Sequence, residues 1–202
     1  MKLLHIDASI LHDQSVSRQL TAAIIKQLTQ ATPEAKVVRH DLVIEPVGHL
    51  STLEFLAWQG VAPQDESSNQ DVARNAKILD DFLAADVVVI GAPMYNFSLP
   101  SQLKAWLDRL SVAGKTFRYT ANGPEGLAGG KRVIVASTRG GLYSGEAPAA
   151  FLDHQETYLR GFFGFLGMTD ITFIRAEGLA ISPESRSAAI EAAVAAVQSL
   201  TA

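Results

Sequence analysis

Serine hydroxyls cluster directly after the first apolar run of the chain. Ser9, Ser15 and Ser17 follow that run, and Ser15 and Ser17 lie at the predicted start of a helix. A helix N-terminus offers unpaired backbone N–H groups and the positive end of the helix dipole, so it can bind an anion. Because Arg18 is the only Lys or Arg nearby, the pattern favours a phosphate monoester over a polyphosphate with a metal. Alternatively, Ser15 only caps the helix, a contribution of about 1 kcal/mol.

A second group of candidate residues follows the most apolar run, residues 87–90. Four uninterrupted β-branched residues predict a strand buried on both faces. A thioether, two aromatic rings and an amide come next, in Met94, Tyr95, Asn96 and Phe97. Open α/β sheets bind ligands where a strand ends before a helix, and these side chains could lie along a flat conjugated molecule. The alternative is a tight turn packed on the protein's own core.

A third group follows the apolar run at residues 133–137 and consists of Thr138, Arg139, Gly140 and Gly141. Paired glycines allow backbone N–H groups to approach a ligand closely. An ordinary tight turn is the alternative for this pair as well.

The elements that position these groups alternate between strand and helix patterns. Short apolar strands are predicted at residues 2–7, 36–41, 87–90, 133–137 and 171–176, with apolar residues at helical spacing between them. This order requires right-handed crossovers and a parallel sheet covered on both faces. We therefore predict an α/β fold of three layers, a doubly wound, five-stranded parallel sheet of the flavodoxin-like type. Without an internal repeat or linker, residues 1–202 are predicted to form a single domain.

Four expectations concern less regular parts of the chain. Residues 60–69 are expected to form an exposed loop, and residues 117–130 an excursion with a turn at Asn122-Gly123-Pro124. A helix is expected from about residue 149 to 166. Within it, residues 153–156 (DHQE) are expected to form a solvated face.

If the sheet is parallel, all three candidate groups leave neighbouring strands and converge on one crevice. One group supplies donors for a phosphate, one supplies flat apolar contacts, and one supplies backbone donors for a polar ring edge. A planar ring with a phosphorylated side chain satisfies all three, and FMN is the simplest such molecule.

Composition excludes several other functions. The net charge is −4 with no Lys/Arg cluster, which argues against nucleic-acid binding. No apolar run approaches the roughly 20 residues that span a bilayer, and the N-terminus does not resemble a signal peptide, so we expect a cytoplasmic protein. There is no cysteine, and the five histidines lack metal-ligand spacing, so no metal site is predicted. GxGxxG, P-loop and GxSxG motifs are also absent from the sequence.

Longer segments carry a resemblance to a known family. The SxxxxxSxS pattern, APMYNFSLPSQLKAWLD, FRYTANGPEGL, TRGG, FFGFLGMTD and AEGLA resemble, in this order, the FMN-dependent NADH-azoreductase family. That family belongs to the flavodoxin-like quinone reductases. Position 138 is Thr where many relatives carry Ser or Gly.

The resemblance implies a homodimer with two FMN sites at the subunit interface. It implies that Ser9, Ser15, Val16 and Ser17 surround the phosphate, that Met94, Tyr95, Asn96 and Phe97 run along the isoalloxazine, and that Thr138, Arg139, Gly140 and Gly141 meet its pyrimidine edge. Tyr119 and Phe162 resemble the aromatic residues that wall the substrate pocket in such reductases. For Phe162, core packing on a helix is the alternative.

The implied reaction is a ping-pong reduction in which NADH or NADPH passes hydride to FMN, and a quinone or an azo compound receives the electrons. No catalytic side chain is predicted, because the cofactor carries the chemistry. The competing hypothesis is a flavodoxin-type electron carrier. Such a carrier should have a more acidic docking surface and a shorter chain.

Overall fold

A computed structural model describes residues 1–63 and 65–201. Its main sheet has five parallel strands in the order β2-β1-β3-β6-β7, and a separate antiparallel pair, β4 and β5, forms a hairpin. The strands are β1 (Lys2–Asp7), β2 (Lys36–Asp41), β3 (Val87–Pro93), β4 (Phe117–Thr120), β5 (Gly123–Gly126), β6 (Arg132–Thr138) and β7 (Asp170–Ala176).

Helices cover both faces of the main sheet. They are α1 (Val16–Ala31), α2 (Thr52–Trp58), α3 (Glu66–Ala84), α4 (Ser101–Asp108), α5 (His154–Phe165) and α6 (Pro183–Gln198). Apolar residues of α1 and α6 share one core, and those of α3, α4 and α5 share the other. The predicted three-layer, flavodoxin-like architecture is thus confirmed. Within the described residues, no helix combines the length and apolarity needed to cross a bilayer.

The central strand β3 explains why the two cores are separate. All seven of its residues are buried, and alternate side chains enter opposite cores, with Val88 and Ile90 on one side and Val87 and Val89 on the other. Successive strand side chains point to opposite faces, so an uninterrupted apolar run fits a strand between two helical layers.

Two helix boundaries differ from the sequence expectation because aspartates cap them. The expected loop at residues 60–69 ends earlier, since Asp65 accepts a hydrogen bond from the Ser68 N–H and α3 begins at Glu66. The helix expected from about residue 149 begins at His154, because the Asp153 side chain accepts hydrogen bonds from the Gln155 and Glu156 N–H groups. A short 3₁₀ turn occupies residues 150–152.

The excursion at residues 117–130 contains the hairpin of β4 and β5, whose connection is residues 121–122, slightly before the expected turn. The hairpin lies against the end of α5 through two glycines. A Cβ added to Gly126 would lie only 2.1 Å from the Gly167 backbone nitrogen, so a side chain there would separate the two segments. This close contact fixes the hairpin on the molecule and presents Tyr119 to the outside.

Candidate functional site

The carboxyl ends of β1, β3 and β6 lie side by side at one edge of the sheet. Asp7 pairs with Gly91, and Pro93 pairs with Thr138. Three segments leave from these ends: residues 8–17, 94–97 and 138–141, hereafter the serine, aromatic and glycine segments. Between β1 and β3 the chain connections run to opposite faces of the sheet, which is the topological switch point where such folds bind ligands.

In the serine segment, Ser15 both caps α1 and faces other hydroxyls. Its side chain accepts a hydrogen bond from the Arg18 N–H at 3.3 Å, and its oxygen lies 3.0 Å from that of Ser17. The N–H groups of Val16 and Ser17 donate no hydrogen bond within the described part of the chain, although both residues are buried. Buried N–H groups without an acceptor are costly. An anion bound there would satisfy them.

Arg18 does not supply a free cation to this segment. Its guanidinium forms a two-pronged pair with the Asp41 carboxylate, at 2.5 and 2.8 Å, and also donates to the Ser9 carbonyl oxygen. The hydrogen bonds from Arg18 lower the pKa of Asp41 to about 2. Because the Asp41 charge engages Arg18, an anion at the serine segment would be held mainly by hydroxyls and backbone N–H groups.

Behind Arg18, Asp7 belongs to the same charge cluster. Burial alone would raise its pKa, but hydrogen bonding and charge from His5, with hydrogen bonds from Arg39 and Thr21, leave that pKa below its usual value. Arg39 Nη2 lies 2.8 Å from Asp7 Oδ2. The cluster is therefore internally paired and fixes β1, β2 and α1 together.

The aromatic segment is a tight turn, but it is not packed into the core. Asn96 and Phe97 have φ values of 48° and 70°, between Tyr95 and Ser98, which exchange two backbone hydrogen bonds of 3.0 and 3.1 Å. Positive φ is tolerated by Asn and strained for a bulky residue such as Phe. Both central side chains are exposed. Neither of their N–H groups donates a hydrogen bond within residues 1–63 and 65–201.

Hydrogen bonds join the aromatic segment to both neighbouring segments. The Tyr95 hydroxyl accepts from the Ile10 N–H at 3.3 Å and lies 3.4 Å from the Ser9 hydroxyl. On the other side, the Met94 N–H donates to the Thr138 carbonyl oxygen at 2.8 Å. The three segments therefore form one connected surface, hereafter the strand-exit site.

In the glycine segment the carbonyl oxygens of the two glycines accept hydrogen bonds, whereas their N–H groups donate none among the described residues. The carbonyl oxygens of Gly140 and Gly141 accept from the N–H groups of Ala180 and Gly178, both at 2.9 Å. No hydrogen bond among the described residues is donated by the Gly140 or Gly141 N–H. A Cβ on Gly141 would lie 3.1 Å from the Tyr143 hydroxyl oxygen, so a side chain there would have to displace the Tyr143 ring.

Arg139, predicted to contact the cofactor, points its side chain into the interior. It forms ion pairs of 2.9, 2.7 and 3.0 Å with Asp153, Glu156 and Glu177. The expectation that residues 153–156 form a solvated helix face was wrong, because Glu156 and Gln155 are buried around this arginine. Glu177 was not identified from the sequence, and the only sequence signal for it was an acidic residue directly after the last predicted strand.

The two predicted substrate-pocket residues differ in environment. Tyr119 is 76% exposed and touches Phe117 edge-on, with ring centroids 5.5 Å apart. Phe162 is half-buried on α5 and stacks on Tyr158 at 5.9 Å. Tyr119 is available to a ligand or partner. The contacts of Phe162 fit a substrate-pocket residue and equally fit the alternative, core packing on a helix.

Two grooves have volumes of about 680 and 640 Å³. One lies between β2 and α3, and the other lies beside α1 and reaches Ser15 of the serine segment. The aromatic and glycine segments line neither of them. Several charged residues in their walls form ion pairs with other protein side chains, as in the Arg39–Asp7 and Lys77–Asp81 contacts. The strand-exit site, with its unused donors, remains the stronger candidate.

Comparisons with known proteins find similar sequences and structures along nearly the whole chain. A family model described as a flavodoxin-like fold matches residues 1–200. The chain is 57% identical over 202 residues to an "FMN-dependent NADH:quinone oxidoreductase 2" of Bradyrhizobium diazoefficiens, covering 100% of both chains. It is 58% identical over 190 residues to an "FMN-dependent NADH:quinone oxidoreductase" of Rhizobium meliloti, covering 94% of this chain and 92% of the relative.

Solved structures are similar over nearly the whole chain. An azoreductase from Bacillus anthracis has a TM-score of 0.85 at 33% identity, covering 99% of this chain and 100% of that one. An FMN-dependent NADH-azoreductase from the same organism, in complex with FMN, has a TM-score of 0.88 at 27% identity, covering 98% and 95%.

Proposed function

Since the chain belongs to the family of flavodoxin-like fold whose model spans residues 1–200, we propose that it is an FMN-dependent NAD(P)H:quinone oxidoreductase that also cleaves aromatic azo compounds to amines. One observation carries the proposal: at the strand-exit site, three adjacent segments present backbone N–H groups that donate to no acceptor in residues 1–63 and 65–201. Relatives at 57% and 58% identity with FMN-dependent NADH:quinone oxidoreductase names support the same activity.

The residues present fit FMN at each of its three parts. Ser9, Ser15 and Ser17, with the N–H groups of Val16 and Ser17, would bind the phosphate at the helix N-terminus. Met94, Tyr95 and the exposed Phe97 would contact the flat ring. The Gly140 and Gly141 N–H groups would face its polar edge. The buried N–H groups of the serine segment would then gain the acceptor that they otherwise lack.

When bound, FMN supplies two-electron chemistry between a nicotinamide and an acceptor. The protein's part is to orient flat molecules and to place donors where negative charge develops. N–H groups fixed in advance at the polar edge of the ring stabilise that charge without reorganising during the reaction. Donor and acceptor would use the same exposed side of the site in turn, which predicts ping-pong kinetics. Side-chain acid–base catalysis is not required.

A homodimer would complete the site. Tyr119 and Phe151 are each 76% exposed, although aromatic side chains are enriched in protein interfaces rather than on free surfaces. We propose that these exposed rings face a second copy of the chain, whose residues supply the outer wall of the substrate pocket. We also propose a cytoplasmic location, since the nicotinamide donor is a cytoplasmic coenzyme.

Anaerobic stopped-flow spectroscopy tests the proposed activity. NADH should bleach the visible flavin absorption of the FMN-loaded protein, and benzoquinone added afterwards should restore it without NADH present. Initial rates at several quinone concentrations should give parallel reciprocal plots. An azo dye should consume two NADH for each azo bond that is cleaved.

Two results would contradict the proposal. A loaded flavin that NADH leaves unreduced on the timescale of seconds would favour the electron-carrier hypothesis. Intersecting reciprocal plots would reject the ping-pong order while retaining the reductase activity.

A further inference from the structure

Glu177 connects the buried arginine of the glycine segment to the backbone beyond the paired glycines. It directly follows β7 and is mostly buried. Its Oε1 accepts hydrogen bonds from Arg139 Nη1 at 3.0 Å and from the Tyr143 N–H at 2.9 Å, and its Oε2 accepts from the Ser144 hydroxyl. One carboxylate thus holds the chain on both sides of Gly140 and Gly141.

The backbone around Glu177 fixes the glycines from the same side. Besides the two bonds to the glycine carbonyls, the Arg139 N–H donates to the Ala176 oxygen at 2.9 Å, and the Leu179 N–H donates to the Arg139 oxygen at 3.1 Å. Gly178 has φ 73°, and a Cβ there would lie 2.7 Å from Ser185 Oγ. Residues 176–180 therefore engage the carbonyls of 139–141 and leave the N–H groups of the two glycines free for a ligand.

The same network reaches the aromatic segment. Arg139 pairs with Asp153, which caps α5, and the first N–H of that helix, from His154, donates to the Phe97 carbonyl oxygen at 3.1 Å. A buried guanidinium must stay paired, because an uncompensated buried charge is strongly destabilising. Holding Arg139 in place therefore fixes two segments of the strand-exit site relative to each other.

We propose that Glu177 is a positioning residue: by holding Arg139 together with Tyr143 and Ser144, it fixes the direction in which the Gly140 and Gly141 N–H groups meet the polar edge of the flavin ring. This inference rests on the proposed function, because it assumes that FMN binds at the strand-exit site. Its physical basis is that binding groups must be held within about 0.5 Å of their working geometry. Glu177 itself does not touch the cofactor.

The test compares three variants with the wild-type protein by FMN titration, followed by flavin fluorescence and by the visible spectrum at saturating FMN. Glu177→Ala removes the anchor. Glu177→Gln keeps an oxygen for Arg139 and the Tyr143 N–H, and its amide can donate to the Ser144 hydroxyl. Glu156→Gln is the matched control, since Glu156 pairs with the same arginine but forms no hydrogen bond or ion pair with residues 140–144 among the described residues.

We expect Glu177→Ala to weaken FMN binding about tenfold, because misaligned Gly140 and Gly141 N–H groups should lose roughly the equivalent of one hydrogen bond to the flavin. Its bound flavin should have a spectrum closer to that of free FMN. The FMN affinity of Glu177→Gln and Glu156→Gln should stay within about twofold of the wild type, since both variants keep hydrogen bonds from residue 177 to Arg139, Tyr143 and Ser144. A structural role alone would lower the melting temperature of both Glu177→Ala and Glu156→Gln without changing the bound-flavin spectrum.

Equal affinity and an identical bound spectrum in Glu177→Ala and the wild type would overturn the inference while leaving the proposed function intact. A wild-type protein that does not bind FMN would overturn the proposed function itself. If Glu177→Ala does not fold, Ser144→Ala decides: about threefold weaker binding supports the inference, because one of the three anchoring hydrogen bonds is lost, and unchanged binding overturns it.

Discussion

At the scale of single residues, the strand-exit site depends on groups that perform two tasks. Ser15 caps α1 and also presents its hydroxyl beside that of Ser17. Asn96 tolerates the left-handed backbone of a turn and exposes its amide. The alternatives considered from sequence, a cap and a tight turn, are therefore both present, and they are compatible with ligand binding. Substitutions must separate the two tasks.

Ser15→Ala separates capping from anion binding. We expect a loss of about 1 kcal/mol in the free energy of unfolding from the missing cap, and FMN binding weakened about tenfold from the missing hydroxyl. Ser51→Ala, which removes the equivalent cap of α2, is the matched control. It should lose similar stability with FMN affinity unchanged. Equal FMN affinity in both variants, measured by fluorescence titration, would limit Ser15 to capping.

Asn96→Gly tests the amide of the aromatic segment without straining the turn. Leucine at this position would have to adopt a φ of 48°, so a loss of FMN affinity in Asn96→Leu would combine strain with the missing amide. Glycine adopts that backbone freely. We expect FMN binding to weaken about fivefold with no loss of thermal stability, because only a hydrogen-bonding group is removed. Unchanged affinity would remove Asn96 from the ring contacts.

At the scale of elements, the hydrophobic pattern of the sequence predicted those structures whose signal is local and repetitive. The five strands of the main sheet were predictable because apolar runs such as residues 87–90 admit few other structures. The start of α5 was not, since it depends on one aspartate side chain. The network around Arg139 could not be predicted either, because it joins carboxylates from residues 153, 156 and 177, which are brought together only by the fold.

The hairpin of β4 and β5 gives a prediction for substrate use. Tyr119 is exposed, so Tyr119→Ala should change the free energy of unfolding by less than about 0.5 kcal/mol. Removing its ring should lower kcat/KM for quinones about tenfold, since contact with one aromatic face contributes roughly 1–2 kcal/mol. Val194→Ala, at an exposed position on α6, is the control and should change neither quantity. An unchanged kcat/KM would exclude Tyr119 from the pocket.

The Arg18–Asp41 ion pair, which joins α1 to β2, gives a prediction for acid stability. The pKa of Asp41 is about 2 in the folded protein, below its ordinary value, because of Arg18. A depressed folded-state pKa stabilises the protein above the ordinary pKa, and this stability is lost as the pH falls toward 2. We expect about 2 kcal/mol to disappear between about pH 4 and pH 2.

The Asp41→Asn variant has no carboxyl group at this position that could be protonated. Urea unfolding midpoints measured from pH 2 to pH 6 should therefore fall less steeply for Asp41→Asn than for the wild-type protein. Parallel pH profiles for the two proteins would show that the Arg18–Asp41 pair does not contribute to acid stability.

At the scale of the whole molecule, strand order determines where chemistry can occur. Right-handed crossovers place β1, β3 and β6 side by side, so three segments far apart in sequence share one edge. This convergence was predictable from the order of strands and helices. The surface proposed to face a second copy of the chain could not be predicted, because the exposure of residues such as Tyr119 and Phe151 depends on the folded hairpin and loops. The assignment of residues 1–202 to a single domain stays a prediction.

The most direct test of the central claim is to measure bound flavin and thermal stability in the same preparation. We predict a yellow protein with about one FMN per chain. After the flavin is removed, FMN added at about one hundred times its Kd should stabilise the fold by about 2.7 kcal/mol and raise Tm by roughly 5–10 °C. A colourless protein whose Tm does not change when FMN is added would contradict the account.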